Sequence, residues 1–291
     1  MSNPYFVFNK KTITSGNVIE QVTYQNEVTH GRKLTPKELG QRWKANHKRY
    51  LRKIREWDDI ETTPENRKLS MFRARKTLTR IIDSNIYQYA NSKGKLYPVV
   101  FLTLTFKENI RNQKQGNLLF SLFIKRLNYE IKREKTNFLK YSVVIEFQDK
   151  TRNGVIHYHA IFYNLPYIKK DRLEKIWDEG FINVKKVNDV KNIARYVTKY
   201  MAKNFDDARL DGHKRYFSSR GLIKPNIYIG EVAYNKIRES IPPNTTKWEQ
   251  GFDTKYKGKI TKTIFTLPIK ESINKILDEK TRRDIQQYDI S

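Results

Sequence analysis

A chain of 291 residues and 34.8 kDa can bury a sizeable core, as one large domain or as a medium domain with extensions folded partly on it. Fifty-eight Lys and Arg against 31 Asp and Glu leave a formal charge of +27, which makes a polyanion, foremost nucleic acid, the default partner. With no cysteine, disulfides and thiolate metal ligands are excluded, so any metal site must use His, carboxylate or amide groups.

The basic residues run through segments rich in Tyr, Phe, Ile and Leu, which can fold, so the charge is spread and not confined to a disordered tail. The start, "MSNPYFVFNKK", lacks a basic stretch followed by an apolar run. No secretory signal is visible and a cytoplasmic location is expected. No uninterrupted apolar stretch approaches the length of a membrane span, and no membrane partner is expected.

In chain order, residues 1–95 form a basic N-terminal extension, expected as a DNA-binding element. Residues 31–95 are helix-prone, as in "QRWKANHKRYLRKIREW" and "FRARKTLTRIIDSNIYQYA", with Trp43, Tyr50 and Trp57 at sevenfold spacing on one face. That face suits packing, and the basic sides suit phosphate contacts, which position DNA without reading its sequence.

Residues 96–230 read as regular elements. "YPVVFLTLTF" is a buried strand, β-branched and aromatic after a proline. "GNLLFSLFIKRLNYEIKREK" is a helix, with Leu119, Phe123, Leu127 and Ile131 at near-helical spacing. "YSVVIEFQ" and "VIHYHAIFY", separated by the turn-rich "DKTRNG", form a hairpin. A helix near "KDRLEKIWDE", a strand "FINVKKV" and the helix "DVKNIARYVTKYMAK" complete the series. This order predicts an α+β fold, an antiparallel sheet with helices packed on one face, in the split βαβ arrangement of ferredoxin-like folds. Residues 231–291 form a C-terminal extension with turn signals "IPPN" and "YKGK", then a helical "IKESINKILDEKTRRDIQQ".

Two features of the central region carry chemistry. "IHYHA" sets His157 and His159 two apart on a strand, so both imidazoles face one side and Tyr158 the other. Glu146 and Gln148 share a face of the preceding strand, which the hairpin brings beside the histidines. Two imidazoles and a carboxylate suit Mg²⁺ or Mn²⁺ with open positions for phosphate oxygens; the same alternation also arises in any half-exposed strand. "ARYVTKYMAK" repeats Tyr-x-x-Lys, with Tyr196 and Tyr200 one helical turn apart and Lys199 and Lys203 close by. These are either two nucleophiles aimed at one phosphate or a packed aromatic pair on a solvated helix.

Together the segments resemble the HUH endonucleases, in particular the replication initiators of rolling-circle plasmids and single-stranded DNA phages. "FLTLTF" looks like the first motif of that family, "IEFQDKTRNGVIHYHAIF" like its metal-binding motif, and "ARYVTKYMAK" like its catalytic-tyrosine motif, in the family's order. "KRYFSSRGLIKP" is similar to a segment that follows the tyrosine helix in some relatives. The resemblance covers about Tyr97 to Pro225. It implies that His157, His159 and Glu146 are metal ligands, with Gln148 the rival for the third position, and that Tyr196 and Tyr200 are nucleophiles.

The resemblance further implies nicking and rejoining of single-stranded origin DNA, beside a duplex or hairpin, through a 5′-phosphotyrosine. Such a link stores the phosphodiester energy. Lys199 or Lys203 would favour phenolate character or clamp a phosphate oxygen. No G-x-x-x-x-G-K-[ST] loop occurs, so a separate host helicase is the expected partner. A relaxase or transposase would share this chemistry. A non-catalytic nucleic-acid-binding protein, such as an RNA-binding module on the same sheet, would bind without cleaving, but the characteristic aromatic run of that module is absent from the sequence.

Overall fold

A computed structural model of the protein describes residues 6–30, 41, 44, 63–132, 138–187, 193–203, 207–211, 213–268 and 276–290. The expected aromatic face of Trp43, Tyr50 and Trp57 lies outside them. Two compact units are present, Met1–Glu61 with Lys224–Ser291, and Thr62–Ile223. The expected pieces 1–95, 96–230 and 231–291 therefore do not coincide with the units: stretches from both ends of the chain share one sheet, and residues 64–85 pack within the central unit.

The described elements run β1 (Phe6–Ser15), β2 (Val18–His30), α1 (Pro64–Asn85), β3 (Val100–Thr105), α2 (Gln113–Lys132), β4 (Tyr141–Gln148), β5 (Val155–Phe162), α3 (Lys170–Trp177), β6 (Ile182–Lys186), α4 (Ile193–Lys203), β7 (Tyr216–Ser218), β8 (Asn226–Ile229), α5 (Glu231–Glu239), β9 (Thr246–Thr254), β10 (Gly258–Thr266) and α6 (Glu279–Gln286). A single helical turn, Asp149–Arg152, joins β4 to β5.

In the central unit the sheet order is β6-β3-β5-β4-β7, with antiparallel pairing throughout. Its first four members are the fourth, first, third and second strands of a β-α-β-β-α-β series, the ferredoxin-like order expected from sequence. The α+β class holds. One detail differs: helices cover both faces of this sheet, not one. On one face α2 and α3 bury Phe120, Phe123, Leu127, Leu173, Ile176 and Trp177 against Leu102, Leu104, Ile145, Tyr158 and Phe162. On the other, α1 and α4 bury Met71, Leu78, Ile82, Ile193, Ala194 and Val197 against Phe101, Val144 and Ile161.

The reason is legible in β5, where all eight residues of "VIHYHAIF" are buried: a strand apolar on both sides needs cover on both. Each fully buried Leu, Ile or Phe contributes about 1.5–3 kcal/mol from apolar area alone. Glycine permits two of the close approaches. A Cβ on Gly116 of α2 would stand 2.6 Å from the Tyr158 hydroxyl, which donates to Asn117 Oδ1 at 2.8 Å. Gly180, at φ 153°, has the Thr105 carbonyl oxygen 2.1 Å from where a Cβ would sit.

The other unit holds a five-stranded antiparallel sheet in the order β8-β1-β2-β10-β9. Helices α5 and α6 pack Ile237 and Ile285 on Ile19, Tyr228 and Phe265. Gly16, at φ 57°, turns β1 into β2 so that Ser15 pairs with Val18.

Candidate active site

The site is built on the sheet face that α1 and α4 cover. In β5 the pleat sends Tyr158 and Ala160 into the α2/α3 core and His157, His159 and Ile161 to the opposite side. Register then fixes the neighbours: Glu146 of β4 stands opposite His157, and Val144 of β4 and Thr103 of β3 flank His159. The expected placement of both imidazoles on one side, beside the Glu146 carboxylate, is thus met.

Both imidazoles are buried, His157 7% and His159 4% exposed, and a buried ring nitrogen requires polar partners. For His159 these are the Glu146 carboxylate at Nε2 and Thr103 Oγ1, 3.2 Å from Nδ1. The ring also stacks on Phe101, centroids 5.8 Å apart and planes within 7°.

Helix α4 lies over this face because its apolar stripe, Ile193, Ala194 and Val197, is the stripe that packs on it. Thr198 is buried with them and donates to the Ala194 carbonyl at 2.9 Å, satisfying its hydroxyl within the helix. Tyr196 is half-buried at the edge of the stripe and meets Phe101 edge-on, centroids 5.6 Å apart at 76°. One aromatic ring thus separates the Tyr196 phenol from the His159 imidazole.

Two cations attend Tyr196. Lys199, a turn along α4, lies 4.3 Å from the ring centroid. Lys185 of β6 lies 4.8 Å from the centroid and 3.4 Å from the phenol oxygen. Lys185 is the residue that sequence reasoning missed. "FINVKKV" offers alternate lysines with nothing to say which faces the tyrosine helix; only the pairing of Lys185 with Phe101 puts it on that side. Tyr200 and Lys203 belong to α4 by their backbone, and their side chains lie outside the described residues.

Beyond Glu146 on the same face of β4, Gln148 carries a buried Oε1 with no hydrogen-bond partner among the described residues. Past the strand end, Arg209 pairs with Asp149 at 2.8 Å and Asp207 at 2.5 Å and rests 4.1 Å over the Phe147 ring. The hydrogen bond and charge of Arg209 hold the Asp149 carboxyl below its usual range, and the two carboxylates raise the guanidinium.

Imidazole nitrogens, a carboxylate and an orphaned amide oxygen on one sheet face are donor types that suit a hard or borderline divalent ion. In this geometry the Glu146 carboxylate is turned to His159, and among the described residues no three His, Asp or Glu side chains are gathered as a ready metal cage. The site thus has ligand chemistry for a divalent ion without a preformed shell.

Residues 99–205 match the family model described as replication-associated protein ORF2/gene 2 protein. The matched segment runs from β3 through α4 and so contains His157, His159, Glu146 and Tyr196 together. The match is consistent with a replication initiator. No curated protein and no solved structure matches the chain. Among the described residues no helix is long and apolar enough to cross a membrane.

Proposed function

We propose that the protein initiates rolling-circle replication by nicking and rejoining single-stranded origin DNA through a phosphotyrosine. The observation that carries this is the shared ring contact: Tyr196 and His159 both lie against Phe101 on one sheet face, within a segment matching a replication-associated family.

The phenol oxygen of Tyr196 attacks the scissile phosphorus, forming a 5′-phosphotyrosine and releasing a 3′-hydroxyl that primes synthesis. Tyrosine ordinarily holds its proton at neutral pH, with a pKa of about 10. Lys185 and Lys199 supply positive charge beside the ring and its oxygen, which favours the charged phenol and draws in phosphate. His157, His159 and Glu146 would hold the divalent ion, with Gln148 as a further or alternative oxygen donor. When bound, that ion polarises the phosphate and spreads the charge developing on its oxygens.

Tyr200, one turn further along α4, is the second nucleophile. With Tyr196 carrying the nicked strand, it would cut the regenerated junction, and the released hydroxyl would close the circle. The DNA partner is a single strand at the cut with a duplex or hairpin beside it. On α1, Lys68, Arg73 and Lys76 face outward and offer contacts to phosphate that set position without reading bases. Unwinding is left to a host helicase.

The test is incubation of the purified chain with single-stranded origin DNA, with and without Mn²⁺, followed by a denaturing gel. A cation-dependent covalent adduct is expected; binding without cleavage would leave a non-catalytic DNA-binding protein instead.

A further inference from the structure

The β9–β10 hairpin has no role in the chemistry above. Strand β9 is an edge strand paired only with β10, and eight of its nine residues are exposed on both faces. Trp248 is 50% and Phe252 46% exposed, an unusual outlay of large aromatic surface on a solvated strand. Their spacing of four puts both rings on one face, about 13 Å apart along the strand.

Register extends that face across the sheet. Phe252 stands opposite Ile260 of β10, which stands opposite Tyr24 of β2. The ammonium of Lys257 lies 5.4 Å from the Tyr24 ring centroid, which brings the basic turn to the aromatic row. That turn adds Lys255 and Tyr256, the tyrosine 80% exposed.

Charge is sorted between the two faces. The acids of β9, Glu249 and Asp253, alternate with Trp248 and Phe252 and so point to the opposite side. There Glu249 is engaged by Thr263 at 2.9 Å and Lys247 at 3.3 Å. Between the two exposed rings lies Gln250, and opposite it Lys262, which pairs with Glu20. The aromatic face thus carries rings, amide and lysine, with its one carboxylate neutralised.

We propose that this face of the β9–β10 hairpin binds single-stranded DNA, with bases stacking on Trp248 and Phe252 and the lysines of the turn holding the backbone. Aromatic rings interleaved with lysines are what a flexible polyanion with unpaired bases requires, because every base has a face to stack and every link a charge to neutralise. A duplex hides its base faces, so it would find only the lysines. The choice of DNA as the polymer rests on the replication reading; the surface itself does not depend on cleavage.

The experiment measures binding of a labelled oligothymidine to the full chain by fluorescence anisotropy in EDTA, where metal-assisted cleavage is off. Trp248→Ala and Phe252→Ala are each expected to weaken binding about fivefold or more, the usual effect of removing one stacking ring. The double change Lys255→Glu with Lys257→Glu, confined to the exposed turn, should weaken binding and flatten its salt dependence; it keeps the test intact if an aromatic change disturbs folding. Wild-type affinity in all three variants would overturn the proposal, as would failure of the wild type to bind oligothymidine. Loss of self-association in the variants at unchanged DNA affinity would assign the face to a second copy of the chain. A wild type that binds through this face yet forms no covalent adduct would sink the nicking reading and leave this one standing.

Discussion

His159 and Tyr196 are joined through a single ring: Phe101 stacks on the imidazole and takes the phenol edge-on. A histidine of the third strand and a tyrosine of the last helix, 37 positions apart in sequence, therefore share one rigid neighbour. The first consequence concerns the histidines. Replacing His157 or His159 with alanine should remove cation-stimulated cleavage while leaving oligonucleotide binding in EDTA unchanged. Cleavage that keeps its Mn²⁺ dependence in both variants would place the ion elsewhere.

Lys185 should act on the nucleophile and not on folding, since it is exposed and reaches the Tyr196 oxygen from a neighbouring strand. Lys185→Met is expected to slow nicking about tenfold, the equivalent of about 1.4 kcal/mol, and to move the pH–rate profile upward, because loss of a nearby cation disfavours the charged phenol. Lys185→Arg should retain most of the rate. A profile unmoved in Lys185→Met would reduce this lysine to a surface charge.

Stability of the central unit rests in part on a buried carboxylate. Asp211 accepts from Arg67 Nε at 3.0 Å and Nη2 at 2.6 Å and has Arg215 at 3.7 Å, with all three side chains largely buried. Burial lowers the Arg215 guanidinium from its ordinary value while Asp211 opposes that. Asp211→Asn would leave two buried guanidiniums without their counter-charge, at about 3–5 kcal/mol. Thermal denaturation should report a fall in midpoint on the order of 10 °C; an unchanged midpoint would mean that water replaces the carboxylate without loss.

The Asp149–Arg209 pair predicts a small acid dependence. Because Arg209 depresses the Asp149 carboxyl in the folded state, its contribution is present above the ordinary carboxylate range and is lost as pH falls through the depressed value. The aspartate is 58% exposed, so screening keeps the effect under about 1 kcal/mol. Urea unfolding should find Asp149→Asn slightly less stable than wild type at neutral pH and equal to it in strong acid. A difference that persists in acid would have another origin.

The central sheet was legible because its strands are short, apolar and separated by clear turns, and because His157 and His159 on a period of two can only face together. What the sequence could not reveal was register across distant strands. Lys185 gains its meaning from pairing with Phe101, and β2 meets β10 more than two hundred residues away. Strand β9, "TKWEQGFDT", carries no buried face, so the alternation that marks a strand is missing from it. Helix α1 reads as a helix from composition, but its buried positions Met71, Leu78 and Ile82 do not say that they cover the histidine face. "GN" between two β-branched runs at residues 16–17 is a hairpin signal that the basic character of the flanking region obscured.

The most direct test of the central claim is to trap the covalent adduct formed with single-stranded origin DNA in Mn²⁺, digest it, and map the attached nucleotide by mass spectrometry. The account predicts attachment at Tyr196 or Tyr200 and no adduct when both are changed to phenylalanine. An adduct on any other residue, or one that survives in the double variant, would contradict it.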